Sequence, residues 1–205
     1  MDEETGERER TEFIAKAKLP TRWGDFDIYA FEDHKMKTHL ALVKGEISDG
    51  EMIPVRLHSR CLTGDALGSL RCDCREQYEK AVKYIGEQER GVLLYMSQEG
   101  RGIGLSNKIK AYALQDGGLD TVEANHQLGF ADDLRSYENA ADILKFLKIK
   151  SIVLLSNNPA KVRGLQEEGI NVEKRMPLIA HGSQHSEDYM RVKKDKMGHL
   201  EEGQE

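Results

Sequence analysis

All three cysteines of the chain fall within fourteen residues, as Cys61-x10-Cys72-x-Cys74. Any fold must therefore bring the loop at Cys61 back onto the tight turn between Cys72 and Cys74. An odd, clustered set of this kind points to metal or catalysis rather than to a disulfide framework. The Cys-x-Cys pair sets two sulfurs on one turn, and the third arrives from a preceding loop. Zinc thiolate sites are four-coordinate, and closed structural sites use four protein ligands. With three cysteines, either a histidine completes the set or the fourth position stays open to water, as in catalytic zinc sites. By spacing, His58 is the candidate fourth ligand, and Asp73 is another polar neighbour. Buried free thiols and a structural zinc knuckle are the competing readings. The clustering among Arg, Asp, Ser and Gly favours metal.

A chain of 205 residues with 39% hydrophobic and 32% charged side chains can build one core. The net charge of −6 argues against a nucleic-acid binder working through a general basic surface. It leaves room for an anionic small substrate, because a few convergent cations in a cleft focus a positive field on an acidic protein. No apolar run approaches the roughly 20 residues that span a bilayer. The polar first ten residues lack the apolar stretch of a secretory signal. The expected setting is the cytoplasm, with no membrane partner.

There is no internal repeat. Residues 40–44 and 52–57 read as strands, and 75–90 carries helical spacing with Tyr78, Ala81, Val82 and Ile85 on one face. A strand is expected at 92–96 and helices at 105–115 and 137–147. A loop holding Thr121 and 130–135 lies between those helices. A strand at 152–155, a helix at 160–167 and a strand within 170–178 follow. This alternation predicts an α/β (α+β) class, with a mixed sheet flanked by helices. Residues 1–12 read as a flexible tail, 13–180 as a single catalytic domain and 181–205 as a peripheral tail.

Two strand–turn–helix junctions suit phosphate groups: QEGRGIG (98–104) and SNNP (156–159) followed by Lys161. Helix N-termini present free N–H groups and the positive dipole end, and glycine lets backbone approach closely. Neither junction matches a P-loop or Rossmann fingerprint. By spacing alone, Asp133 and Arg135 read as a solvated pair and Tyr112 as a packing residue.

The motifs HSRCLTGD (58–65), LRCDC (70–74), QEGRGIG (98–104), NKIKAYALQD (107–116), DTVEAN (120–125) and SNNP (156–159) together resemble GTP cyclohydrolase II. The resemblance covers about 19–178, with a weaker match at KMGHL (196–200), and is to the monofunctional form without a dihydroxybutanone-phosphate synthase domain. It implies one Zn2+ per chain on Cys61, Cys72 and Cys74, with water rather than His58 as fourth ligand. It implies that Arg135 attacks the α-phosphorus of GTP, that Asp133 accepts a proton and that Tyr112 sits over the reacting ring. Arg56, Leu57, His58, Ser59, Arg60, Gln77, Glu99, Gly100, Arg101, Thr121, Ser156 and Lys161 would contact GTP, accompanied by Mg2+. It further implies a homodimer. The reaction would open the guanine imidazole ring, releasing formate, pyrophosphate and a diaminopyrimidine ribosyl phosphate for riboflavin biosynthesis.

The chain departs from the family's usual pattern at three positions. Arg60 replaces Glu, Arg75 replaces Gly and Ser97 replaces Arg; Ser156 for Thr is a milder change. These changes raise two other readings: a paralogue serving a toxoflavin-like azapteridine pathway, or a catalytically silent nucleotide-binding protein.

Overall fold

The computed structural model describes residues 11–178. Residues 1–10 of the tail expected at 1–12, the tail expected at 181–205 and the KMGHL match lie outside these residues. Thr11 and Glu12, expected in the first tail, belong to the folded body: Glu12 opens a strand, and the Thr11 hydroxyl donates to Asn139 Oδ1 at 2.9 Å.

Seven strands build one sheet: β1 (Glu12–Thr21), β2 (Gly24–Glu32), β3 (Thr38–Lys44), β4 (Ile53–Ser59), β5 (Gly91–Met96), β6 (Ile152–Leu155) and β7 (Val172–Met176). Their spatial order is β1-β2-β3-β5-β4-β6-β7. The pairs from β1 through β3 to β5 are antiparallel, whereas β5, β4, β6 and β7 run parallel. The helices are α1 (Leu62–Asp65), α2 (Cys74–Gly86), α3 (Leu105–Asp116), α4 (Thr121–Gln127), α5 (Glu138–Phe146) and α6 (Pro159–Glu167). The fold is α/β with a mixed sheet, the expected class.

The central parallel strands are covered on both faces, which is why VLLYM and IVLL read as unbroken apolar runs rather than as alternations. On one face, Val55, Leu57, Val92, Leu94 and Leu154 meet Ala140, Ile143 and Leu144 of α5 and Leu165 of α6. On the other, Leu42 and Leu93 meet Ala81, Val82 and Ile85 of α2.

The β1–β2 hairpin, the single turn of α1 and helix α4 lie outside the elements expected from the sequence. The β1–β2 hairpin pairs Ala17 with Ile28 and Leu19 with Phe26, while Lys16 and Lys18 both reach Asp27 at 2.8 and 2.6 Å. Helix α4 occupies 121–127, where the sequence predicts a loop. Asp120 caps it by accepting from Val122 N and Glu123 N, and Glu123 accepts from Asp120 N in return. Helix α2 also stops short of residue 90. At Gly86 a Cβ would fall 2.0 Å from the Trp23 carbonyl oxygen, so the helix ends against the hairpin turn.

This topology positions the site. Because β4, β5 and β6 are parallel, their C-terminal ends lie along one edge of the sheet, where open α/β sheets bind ligands. The chain leaves β4 into the cysteine loop, β5 into the glycine turn and β6 into the SNNP turn.

Candidate metal centre and nucleotide site

The cysteine loop folds as the sequence spacing requires. Cys61 precedes the single turn of α1, and Cys74 opens α2. All three Sγ atoms lie within 4.8 Å of one another, with Cys61 and Cys72 at 3.6 Å. Tetrahedral zinc with Zn–S bonds of about 2.3 Å needs sulfurs about 3.8 Å apart, so the spacing fits that ion. The donor set also fits, since soft thiolates suit zinc. Gly64 makes the convergence possible: a Cβ there would stand 2.8 Å from Cys72 Sγ and 3.2 Å from Cys61 Sγ. Among the three thiols the proton is most easily lost from Cys61, which gains hydrogen bonds from Cys72, Cys74 and the Lys108 ammonium. The bond to the Cys61 sulfur pushes the Cys72 thiol up to about 11, and Cys74 rises in the same direction.

His58 is directed elsewhere than at the sulfurs. Its Nε2 lies 3.0 Å from Asp65 Oδ2, and the ring stacks on Tyr95 at a centroid distance of 5.4 Å. Asp65 also accepts from the Tyr95 hydroxyl at 2.8 Å and from Cys61 N at 2.9 Å. This carboxylate therefore ties β4, β5 and the start of the metal loop together. Burial holds His58 below the usual imidazole range despite Asp65, and burial with the Asp65 bond raises the Tyr95 phenol.

The glycine turn, Glu99–Gly102, contains two successive left-handed residues, Gly100 and Arg101, with φ of 59° and 58°. Gly102 follows at φ 99°, where a Cβ would meet Leu134 atoms at 3.0–3.1 Å. Leu134 N donates to Arg101 O at 3.0 Å, so this turn carries the 133–135 segment on its back. Asp133 and Arg135 form a chelated pair. Arg135 N and Nε donate to Asp133 Oδ1 at 3.0 and 2.8 Å, and Nη2 donates to Oδ2. Burial opposes ionisation of Asp133, but the Arg135 guanidinium outweighs it and holds the carboxyl below its ordinary range. Arg135 Nη1 approaches Ser59 Oγ at 3.5 Å, which brings the pair to the end of β4. The pair is therefore fixed and half-buried, not the solvated pair that spacing alone suggests.

A layer of cations lies beneath. Arg56 is buried, donating to Leu155 O at 2.9 Å and to Gln77 Oε1 at 2.6 Å, and Gln77 donates to Asp73 Oδ2 at 2.5 Å. This relay joins β4 to the Cys72–Cys74 turn. Burial lowers the Arg56 guanidinium to about 10. Lys161 Nζ donates to Leu57 O at 2.8 Å, and Ser156 Oγ accepts from Asn158 N at the mouth of α6. Arg56 Nε and His58 Nδ1 are buried without a hydrogen-bond partner among the described residues. Tyr112 reaches toward the metal loop from α3: its hydroxyl is 3.3 Å from Thr63 Oγ1, itself 3.7 Å from Cys61 Sγ. Thr121 opens α4, which packs on α3.

The three unusual positions have visible contacts. Arg60 Nε lies 3.8 Å from Glu99 Oε2, Arg75 pairs with Glu79 one turn on at 3.2 Å, and Ser97 Oγ donates to Thr38 O at 2.6 Å. Only Arg60 touches a residue of the candidate site in these contacts. Asp65, Gln98, Thr63 and Lys108 are site-forming residues that the sequence reading passed over. Gln98 Nε2 donates to Ser136 O at 2.6 Å, next to Arg135. All four lie inside the quoted motifs, and that was their only signal.

Comparison with known proteins matches residues 11–177 to the family model described as GTP cyclohydrolase II. The chain is 52% identical over 189 residues to a GTP cyclohydrolase-2 of Picrophilus torridus, covering 92% of this chain and 98% of that one. It is 56% identical over 188 residues to a GTP cyclohydrolase-2 of Hamiltonella defensa, covering 91% and 96%. A riboflavin biosynthesis protein RibBA of Endomicrobium trichonymphae is 52% identical over 198 residues, with 94% of this chain and 49% of the relative covered. No helix among the described residues is long and apolar enough to cross a membrane.

Proposed function

Because the chain belongs to the GTP cyclohydrolase II family of hydrolases, we propose that it opens the guanine imidazole ring of GTP by zinc-dependent hydrolysis in riboflavin biosynthesis. The products are 2,5-diamino-6-(5-phosphoribosylamino)pyrimidin-4-one, formate and pyrophosphate. The observation that carries the reading is the convergence of three sulfurs, within 4.8 Å of one another, on the sheet edge that also holds the Asp133–Arg135 pair.

Each residue has a task in this reading. Arg56, Lys161 and Ser156, with the N-terminus of α6, supply a cationic floor for the triphosphate, which Mg2+ accompanies. Glu99, Gly100, Arg101 and Thr121, with the β4 end from Leu57 to Arg60, bound the nucleotide. Arg135 forms a bond to the α-phosphorus as the bond to the pyrophosphate oxygen breaks, and water later cleaves that N–P bond, leaving the 5′-phosphate on the product and freeing Arg135. A guanidinium is ordinarily fully protonated, so its proton must leave as the new bond drains its basicity. Asp133, 2.8 Å from Nε, is placed to take that proton. Gln98 and Ser59 hold Arg135 in line, and Tyr112 lies beside the reacting ring. Cys61, Cys72 and Cys74 would hold zinc, which would supply the Lewis acidity that activates water toward the imidazole-ring carbon. We take the working form to be a cytoplasmic homodimer.

The test is to incubate zinc-loaded protein with GTP and Mg2+ and identify the products by mass spectrometry. The diaminopyrimidine ribosyl phosphate with formate and pyrophosphate is expected. A formylated pyrimidine would assign the chain to a truncated reaction for another pathway. No turnover with zinc bound would make it a silent nucleotide-binding protein.

A further inference from the structure

Lys108 stands one turn into α3, and its ammonium reaches back over the glycine turn. Nζ donates to Cys61 Sγ at 3.0 Å and to Glu99 Oε1 at 2.7 Å. The lysine side chain is 12% exposed and that of Glu99 2%. The other Glu99 oxygen accepts from Leu62 N at 2.8 Å. One buried carboxylate therefore holds both the backbone just after Cys61 and the cation on its sulfur. The root of the lysine is fixed too: Lys108 N donates to Gly104 O at 3.0 Å, and a Cβ on Gly100 would lie 3.2 Å from Lys108 Cβ.

We propose that Lys108 is a positioning residue for the metal centre, aiming the Cys61 thiolate and offsetting the charge of the three sulfurs. The proposal rests on the zinc reading given above. Three thiolates outweigh a divalent cation by one charge; the Lys108 ammonium offsets that excess, and the Glu99 carboxylate it pairs with is faced in turn by Arg60 at 3.8 Å. An N–H bond to a thiolate also withdraws electron density from the sulfur. The metal stays more electron-poor and is a better Lewis acid toward substrate. Glu99 supplies the aim, since an unpaired lysine stem would sample many rotamers. The Cys61 sulfur is in this way distinguished from those of Cys72 and Cys74.

Substituting cobalt for zinc makes the sulfur environment visible as a thiolate-to-metal charge-transfer band. In Lys108→Met that band is expected at lower energy, because the sulfur lone pair loses its hydrogen bond. Zinc affinity, read by competition with a chelator, should fall about 10–100-fold. Lys108→Arg, which keeps a charge and an N–H donor, should return the band most of the way. The value of kcat should fall in the Met variant with little change in KM for GTP. A Met variant whose cobalt band and zinc affinity equal those of the wild type overturns the proposal. If that variant does not fold, Glu99→Ala removes both acceptor oxygens and leaves the lysine present but unaimed; an unshifted band there overturns it equally. A wild-type protein that takes up neither cobalt nor zinc removes the zinc reading itself, and the proposal with it.

Discussion

Gly64 shows how closely the convergence of the three sulfurs depends on one atom. It lies inside α1, where alanine would favour the helix by about 1 kcal/mol over glycine. Yet the added Cβ would press on two sulfurs, at 2.8 and 3.2 Å. Gly64→Ala should therefore leave the protein folded while zinc affinity, measured by chelator competition, drops about tenfold or more. Unchanged affinity would mean that the sulfurs do not close on a metal in this geometry. At this scale the cysteine cluster was legible, because three cysteines in a short segment announce themselves. Their supports were not. Asp65 meets Tyr95 thirty positions away, and Lys108 meets Cys61 forty-seven positions away. Only folding reveals such partners, and spacing had instead offered His58 as a ligand.

Among the elements, the glycine turn matters most, because a second segment rides on it. Leu134 hangs from Arg101 O, and Gly102 leaves no room between turn and segment. Gly102→Ala would add a Cβ at 3.0–3.1 Å from Leu134 and place it on a residue at φ 99°. A displacement of Arg135 by about 1 Å is enough to cost roughly 10²-fold in rate. The variant should keep its far-UV circular dichroism and lose kcat on GTP by about that factor; full activity would separate Arg135 from the chemistry. The core helices were legible from their apolar stripes, and β5 and β6 from their apolar runs. The β1–β2 hairpin was not: β1 is largely exposed, and its pattern is interrupted by Phe13-Ile14. Helix α4 carries its own signal, the Asp120–Glu123 capping box, but at seven residues it is too short to show an apolar stripe.

In the molecule as a whole, the two halves of the sheet do different things. The antiparallel half of the sheet supplies a hairpin and an edge. The parallel half aligns three strand ends, and these carry the cysteine loop, the glycine turn and the SNNP turn to one place. The α/β class was readable from alternation, whereas the strand order, which brings β5 between β3 and β4, was not. An acidic chain with a net charge of −6 nonetheless buries Arg56 and Lys161 at that edge. This is how a protein of such charge can hold a triphosphate. The central claim is that the three-cysteine site makes the ring-opening step possible. Its most direct test is to strip the metal with a chelator, assay formate release from GTP with Mg2+ present, and then restore zinc. Formate release should stop on stripping and return as zinc reaches one equivalent per chain; undiminished release from the stripped protein would contradict the account.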